Sequence, residues 1–122
     1  MSVRVLIVDD HKANQMLLST ILKKMDIPYD LAQDGEEALK KINIVQYDLI
    51  LMDIFMPKMN GVECLSEIRN DSRTIISKTP VIAVTAKSDI DGLNKFDAIV
   101  PKPIKLDDLQ AAIKKILGLK HR

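Results

Sequence analysis

Four short aliphatic runs constrain this chain more than any other feature: Val3–Val8, Leu49–Met52, Val81–Val84 and Ala98–Val100. Three of them do not alternate with polar residues. Strands buried on both faces of a parallel sheet read this way, because crossover helices cover both sides. Tyr29–Ala32 is a weaker fifth run. Between the runs the apolar spacing changes to the helical period. Ala13, Met16, Leu17, Ile21 and Met25 mark a first helix. Asp34-Gly35-Glu36-Glu37 has the form of a capped start and leads into Ala38, Leu39 and Ile42. Glu36–Lys40 and Glu37–Lys41 support that helix as i,i+4 pairs of about 0.3 kcal/mol each. Val62, Leu65 and Ile68 mark a third helix, and Leu106, Leu109, Ile113, Ile116 and Leu117 a last one that ends at Gly118. Strict strand–helix alternation predicts an α/β domain, a parallel sheet with helices on both faces.

No Gly/Ser linker, repeat or low-complexity tract interrupts the 122 residues, so residues 1–122 are read as one domain with a core over about 3–119. Hydrophobic residues make up 47% and charged residues 29%, the balance of a soluble globular chain. The net charge of +1 argues against a nucleic-acid footprint. No run approaches the ~20 apolar residues of a membrane span. The first run ends at Asp9 and Asp10, where a secretion signal needs a small-residue cleavage site. Cys64 stands alone, which excludes an internal disulfide and suits a reducing cytoplasm. It is read as a small buried hydrophobe and not as a nucleophile.

Ligands of open parallel sheets bind beyond the carboxyl ends of the strands. Asp9 and Asp10 follow the first run, Asp53 the third strand, and Thr85 and Ala86 the fourth; Lys102 and Pro103 precede the last helix. If the first and third strands are neighbours, three carboxylates converge, and they cannot all stay ionised without compensation. Mg²⁺ is a hard cation suited to one or two carboxylates, water and phosphate oxygens. Three Asp, one Mg²⁺ and Lys102 sum to zero formal charge. An aspartate there can act as a nucleophile toward phosphorus, with Lys102 and the cation stabilising the equatorial oxygens.

These stretches resemble the receiver domain of two-component response regulators, the family of the bacterial chemotaxis regulator. The matching segments are Val5-Leu-Ile-Val-Asp-Asp10, Asp48-Leu-Ile-Leu-Met-Asp-Ile-Phe-Met-Pro-Lys-Met-Asn-Gly61, Pro80-Val-Ile-Ala-Val-Thr-Ala86 and Lys102-Pro103. The resemblance implies a flavodoxin-like, doubly wound, five-stranded parallel sheet of order 2-1-3-4-5. It implies Asp53 as phosphoacceptor, Asp10 as a direct Mg²⁺ ligand, Asp9 as one acting mostly through water, and the Phe55 backbone carbonyl as a further ligand. Thr85 corresponds to the switch hydroxyl, Lys102 to the lysine on the phosphoryl group, and Lys102–Pro103 to a cis peptide. Pro57 and Gly61 shape the loop after Asp53, and the small Ala86 leaves room beside an acyl phosphate. Asn14 and the Asp53–Gly61 stretch are most similar to receivers of hybrid kinases and phosphorelays.

Two features depart from the family pattern. Thr85 and Lys102 are closer in sequence than usual, which shortens the crossover over Lys87–Asp97. Ser88-Asp89-Ile90-Asp91 could cap a helix there, but Gly92 costs about 1 kcal/mol against Ala inside one. The fourth helix is therefore expected to be short or absent, with a mobile loop. Ile99 stands where the family has an aromatic residue, and it is read as a strand residue packed in the sheet. His11 is read as an exposed helix-start residue and His121 as part of a frayed tail; neither resembles a phosphodonor histidine.

The implied function is a phosphoacceptor signalling domain, not an enzyme beyond its own phosphorylation and dephosphorylation at Asp53. Its phosphoryl donor would be a histidine kinase or histidine phosphotransfer protein, and its readout an unidentified downstream protein. Met1 and the short tail suggest a free-standing domain. Two other readings stay open. One is a pseudo-receiver acting as a constitutive interaction module. The other is a Mg²⁺-dependent phosphohydrolase of the haloacid-dehalogenase type, which needs an Asp where Phe55 stands.

Overall fold

In chain order the elements are β1 (Val5–Val8), α1 (Lys12–Lys24), β2 (Tyr29–Ala32), α2 (Gly35–Ile44), β3 (Leu49–Asp53), α3 (Gly61–Arg69), α4 (Thr74–Ser77), β4 (Val81–Thr85), β5 (Ala98–Pro101) and α5 (Leu106–Leu117). This computed structural model describes residues 3–119, so Met1 and His121 lie outside the described residues. All strands are parallel, in the order β2-β1-β3-β4-β5. Every residue of β1, β3 and β4 is buried, which is why their apolar runs are unbroken. The edge strands β2 and β5 are partly exposed.

The two-residue strand period divides the core. Leu6, Val8, Ile50 and Met52 face Ala38 and Ile42 of α2 and Cys64, Leu65 and Ile68 of α3. Val5, Ile7, Leu49 and Leu51 face Leu18, Ile21 and Leu22 of α1 and Leu109 and Ile113 of α5. Asp34 caps α2 as expected, its Oδ1 accepting from the Glu37 N–H at 2.8 Å. Glu36 and Lys40 pair at 3.8 Å. Gly118 ends α5 with φ +69°. A capping box at Asn60 and Glu63 starts α3, an end signal that the Val62–Ile68 pattern alone does not reveal.

Between β4 and β5 the described residues form no α-helix, only a 3₁₀ turn at Leu93–Lys95. Gly92 enters it at φ +87°, and a Cβ there would stand 2.8 Å from Val62 Cγ1. Leu93 and Phe96 are buried, so the segment is anchored at its far end. With no helix over that side of β5, Ile99 is 46% exposed although it pairs with Ala83. This corrects the expectation that Ile99 is packed: it is a strand residue, but on an uncovered edge. Amide exchange should show protection across Lys87–Lys95 at least about tenfold below that of α1. Equal protection would contradict the weak hydrogen bonding of the crossover.

The Cys64 thiol is fully buried. Burial pushes it up to about 12, and the negative charges of Glu67 and Asp34 add to this. Thiolate is the reactive form. Native chain at pH 8 is therefore expected to resist iodoacetamide that alkylates the unfolded chain readily. The sign of the linkage is fixed by the upward shift. The stability held in this group is full below the unfolded value of about 8.5 and is lost as pH climbs toward about 12.

At the sheet end opposite the strand tips, Arg69 Nη1 donates to the carbonyls of Ser77 (3.0 Å) and Thr79 (2.7 Å). Its Nη2 donates to Asp97 Oδ2 at 2.9 Å, which also accepts from the Val81 N–H at 2.7 Å. No helix among the described residues is long and apolar enough to cross a membrane.

Candidate functional site

β1 and β3 run in register with Val8 opposite Met52, so the next residues, Asp9 and Asp53, emerge side by side. Asp9 is completely buried and Asp53 is 4% exposed. Asp9 is held by its neighbours. Its N–H donates to the Ala32 carbonyl, and its own carbonyl accepts from Gln15 Nε2 at 2.6 Å. Its Oδ1 accepts from the His11 N–H at 2.9 Å and from Asn14 Nδ2 at 3.5 Å. The other oxygen, Asp9 Oδ2, receives no hydrogen bond, and neither does the buried Asp10 Oδ1.

Lys102 reaches this point from the other side. Its N–H donates to the Thr85 carbonyl, which extends the β4–β5 ladder past Pro101. The Lys102–Pro103 peptide is cis. Lys102 Nζ lies 3.2 Å from Asp53 Oδ1 and 3.7 Å from Asp9 Oδ2. Burial, and then the charge of Asp9, push the Asp53 carboxyl above its ordinary range; Lys102 opposes them without cancelling them. Three carboxylates face one lysine, a formal surplus of −2.

Carboxylate and imidazole atoms of Asp9, Asp10, His11 and Asp53 lie within 4.8 Å of one another. Buried acceptors without donors are costly, about 1–3 kcal/mol each or more when charged. Two orphaned oxygens and a surplus of −2 fit a divalent cation, which supplies both charge and coordination.

Thr85 is buried at the tip of β4, and its Oγ1 accepts from the Lys87 N–H at 3.3 Å. A cleft of about 260 Å³ opens above Asp53, with Phe55, Ala86 and Lys102 in its walls. Lys87 Nζ sits 5.5 Å from the Phe55 ring centroid on the rim. Beneath Asp53 the chain turns tightly into α3, and a Cβ on Gly61 would fall 2.5 Å from the Asp53 carbonyl oxygen. Only glycine fits that approach. Asp9, Asp10, Asp53 and Lys102 thus meet at one point, with Thr85 on the next strand tip and Phe55 at the cleft mouth. His11 is exposed, as its sequence position suggests, yet its Nδ1 stands 3.1 Å from Asp10 Oδ1. Only the fold brings His11 and Gln15 onto the acidic pair.

Residues 5–114 match the family model described as the response regulator receiver domain. The chain belongs to that family. The receiver is 42% identical over 119 residues to the transcriptional regulatory protein CpxR homolog of Haemophilus influenzae, covering 93% of this chain and 50% of that protein. It is 35% identical over 116 residues to the autoinducer 2 sensor kinase/phosphatase LuxQ of Vibrio harveyi, covering 91% of this chain and 13% of that one. The receiver therefore spans half or less of these relatives. Among solved structures it is similar to the receiver domain of sensor histidine kinase PA1611 from Pseudomonas aeruginosa, described with a magnesium ion in its active-site cleft. The TM-score is 0.85 at 27% identity, covering 97% and 99% of the two chains. It also resembles chemotaxis protein CheY4 of Vibrio cholerae, with TM-score 0.87 and 25% identity over 96% and 100% of the chains. As a receiver domain it is a unit of two-component and phosphorelay signalling.

Proposed function

We propose that this chain is a single receiver domain that takes a phosphoryl group onto Asp53 from the phosphohistidine of a histidine kinase or histidine phosphotransfer protein. An Asp53 carboxylate oxygen attacks phosphorus, the P–N bond breaks, and the departing imidazole takes up a proton. The product is a mixed anhydride on Asp53. The observation that carries this reading is Lys102 Nζ set between Asp53 and Asp9 beside two orphaned carboxylate oxygens. Lys102 is placed to stabilise charge on the transferred group. The Thr85 hydroxyl can donate to a phosphoryl oxygen once the group is attached. Asp9, Asp10, Asp53 and the Phe55 carbonyl would hold Mg²⁺, which supplies electrostatic stabilisation of phosphoryl oxygens when bound.

The single negative charge of the Asp53 carboxylate is replaced by a phosphoryl group carrying about −1.5 to −2, which draws Thr85 and Lys102 inward and biases an equilibrium between two states. The readout is altered binding to a downstream protein. A cytoplasmic setting suits a lone reduced cysteine and a soluble kinase module, and no nucleic-acid or membrane partner is proposed. Phe55 offers no acid–base group for a phosphohydrolase. The short crossover and the exposed Ile99 favour, as the second reading, a constitutive interaction module. Acetyl phosphate with Mg²⁺ separates the two: one phosphoryl group should be gained by mass, together with changed partner capture. No mass gain overturns the phosphoacceptor reading and leaves the module.

A further inference from the structure

We propose that His11 is a nitrogen ligand of the acidic site, so that this receiver accepts first-row transition ions more readily than its carboxylates alone would. The inference rests on the reading that Asp9, Asp10 and Asp53 hold a divalent cation. It adds a donor of a different chemical class.

His11 occupies the N-cap position of α1 with extended backbone, φ −99° and ψ 122°. Its side chain makes no capping hydrogen bond and turns instead toward the acidic pair. Its Nδ1 lies 3.1 Å from Asp10 Oδ1 and 3.7 Å from Asp9 Oδ1. Its backbone N–H donates to Asp9 Oδ1 at 2.9 Å, which ties the residue to the acidic pair by main chain as well as side chain. The imidazole is among the groups whose ligating atoms all fall within 4.8 Å. A second observation marks this as a site and not merely a cluster of charges. Asp9 is fully buried, and its Oδ2 has no hydrogen-bond donor.

The donor set decides which ion is favoured. Carboxylate and water oxygens suit Mg²⁺ and Mn²⁺, whereas imidazole suits Ni²⁺, Zn²⁺, Cu²⁺ and iron. Affinity at a mixed nitrogen and oxygen site also rises along the first-row series toward Cu²⁺. Mg²⁺ keeps several waters and gains little from an imidazole. Ni²⁺ gains a full ligand. His11 is 68% exposed in its side chain, so its removal disturbs no core packing. Its loss should therefore be selective, large for Ni²⁺ and small for Mg²⁺.

The test uses the whole chain with His121→Ala as background, leaving His11 as the only imidazole. Ni²⁺ and Mg²⁺ affinities are measured by calorimetry with and without His11→Gln. Co²⁺-loaded protein is examined by NMR for an exchangeable, hyperfine-shifted imidazole N–H. The expected result is a loss of about ten- to a hundredfold in Ni²⁺ affinity. The Mg²⁺ constant should change less than about twofold, and the shifted resonance should be present with His11 and gone in His11→Gln. Ni²⁺ affinity unchanged by His11→Gln, a parallel fall for Mg²⁺, or no shifted imidazole resonance while Mg²⁺ still binds would each overturn the role of His11 alone. Failure of the His11-containing chain to bind either ion would overturn the acidic-site reading beneath it.

Discussion

Asp53→Asn should leave the chain unable to gain a phosphoryl group from acetyl phosphate, and in chelator at neutral pH it should make the fold more stable. The first half follows from chemistry, because an amide oxygen does not form a stable mixed anhydride. The second half follows from the electrostatics of the site. Burial and the neighbouring Asp9 together outweigh Lys102 and hold the Asp53 carboxyl above its ordinary range. A raised folded value means that the contribution to stability is full below the unfolded value, about 3.9, and is lost as pH rises through the folded one. At neutral pH the carboxylate carries the whole penalty. Asparagine has the same shape and no proton to lose. The gain should be close to nil near pH 3.5, where the carboxyl is largely protonated in both states, and be present at pH 7. Added Mg²⁺ should reverse the order, since a ligand stabilises the form that binds it better. Urea midpoints at the two pH values with chelator and with Mg²⁺ check both signs. A variant less stable than its parent at pH 7 in chelator would show that Lys102 governs the site instead of burial.

Lys102→Met should split two properties that usually fall together. The ammonium bridges Asp53 and Asp9, both buried, at 3.2 and 3.7 Å. Without it those carboxylates lose their cation, and stability in chelator should fall by about 2 kcal/mol. That is below the 3–5 kcal/mol of a fully buried broken pair, because Lys102 is partly exposed. Divalent ion affinity should rise by at least about tenfold, since a competing positive charge leaves the ligands' side. Phosphoryl uptake should drop by about ten- to a hundredfold, because charge on the transferred group is no longer matched. Tighter metal binding beside slower phosphorylation separates an electrostatic role from simple misfolding, which would weaken both. Calorimetry and timed mass spectrometry read the two quantities.

Much of this was legible in the residues. β1, β3 and β4 announce themselves because burial on both faces demands unbroken aliphatic runs. Asp9, Asp10 and Asp53 fall on one rim because parallel strands end together, and Lys102 reaches the same rim from the tip of β5, beyond β4. What could not be read is what depends on distant partners. α4 contains adjacent β-branched residues, Ile75 and Ile76, which weigh against a helix. It forms because Ile76 is buried and the Arg69 guanidinium takes up the Ser77 carbonyl. The capping box of α3 uses Asn60 where a Ser or Thr is the more familiar sign. His11 has an ordinary helix-start position, and only the turn of backbone beside Asp9 sets its imidazole against Asp10. The missing helix between β4 and β5 is legible in the short spacing from Thr85 to Lys102 and in Gly92, but its consequence for Ile99 is not, because an isoleucine in a strand reads as packed whether or not a helix covers it.

β5 is a short beam clamped at one end and loaded at the other. Asp97, just before it, is fastened to Arg69 and to the Val81 N–H, while Lys102, just past its tip, holds the two buried carboxylates. A tug on the ammonium therefore cannot slide the strand along its axis. The motion is expected instead as bending over the four residues of β5, between the Asp97 clamp and Lys102.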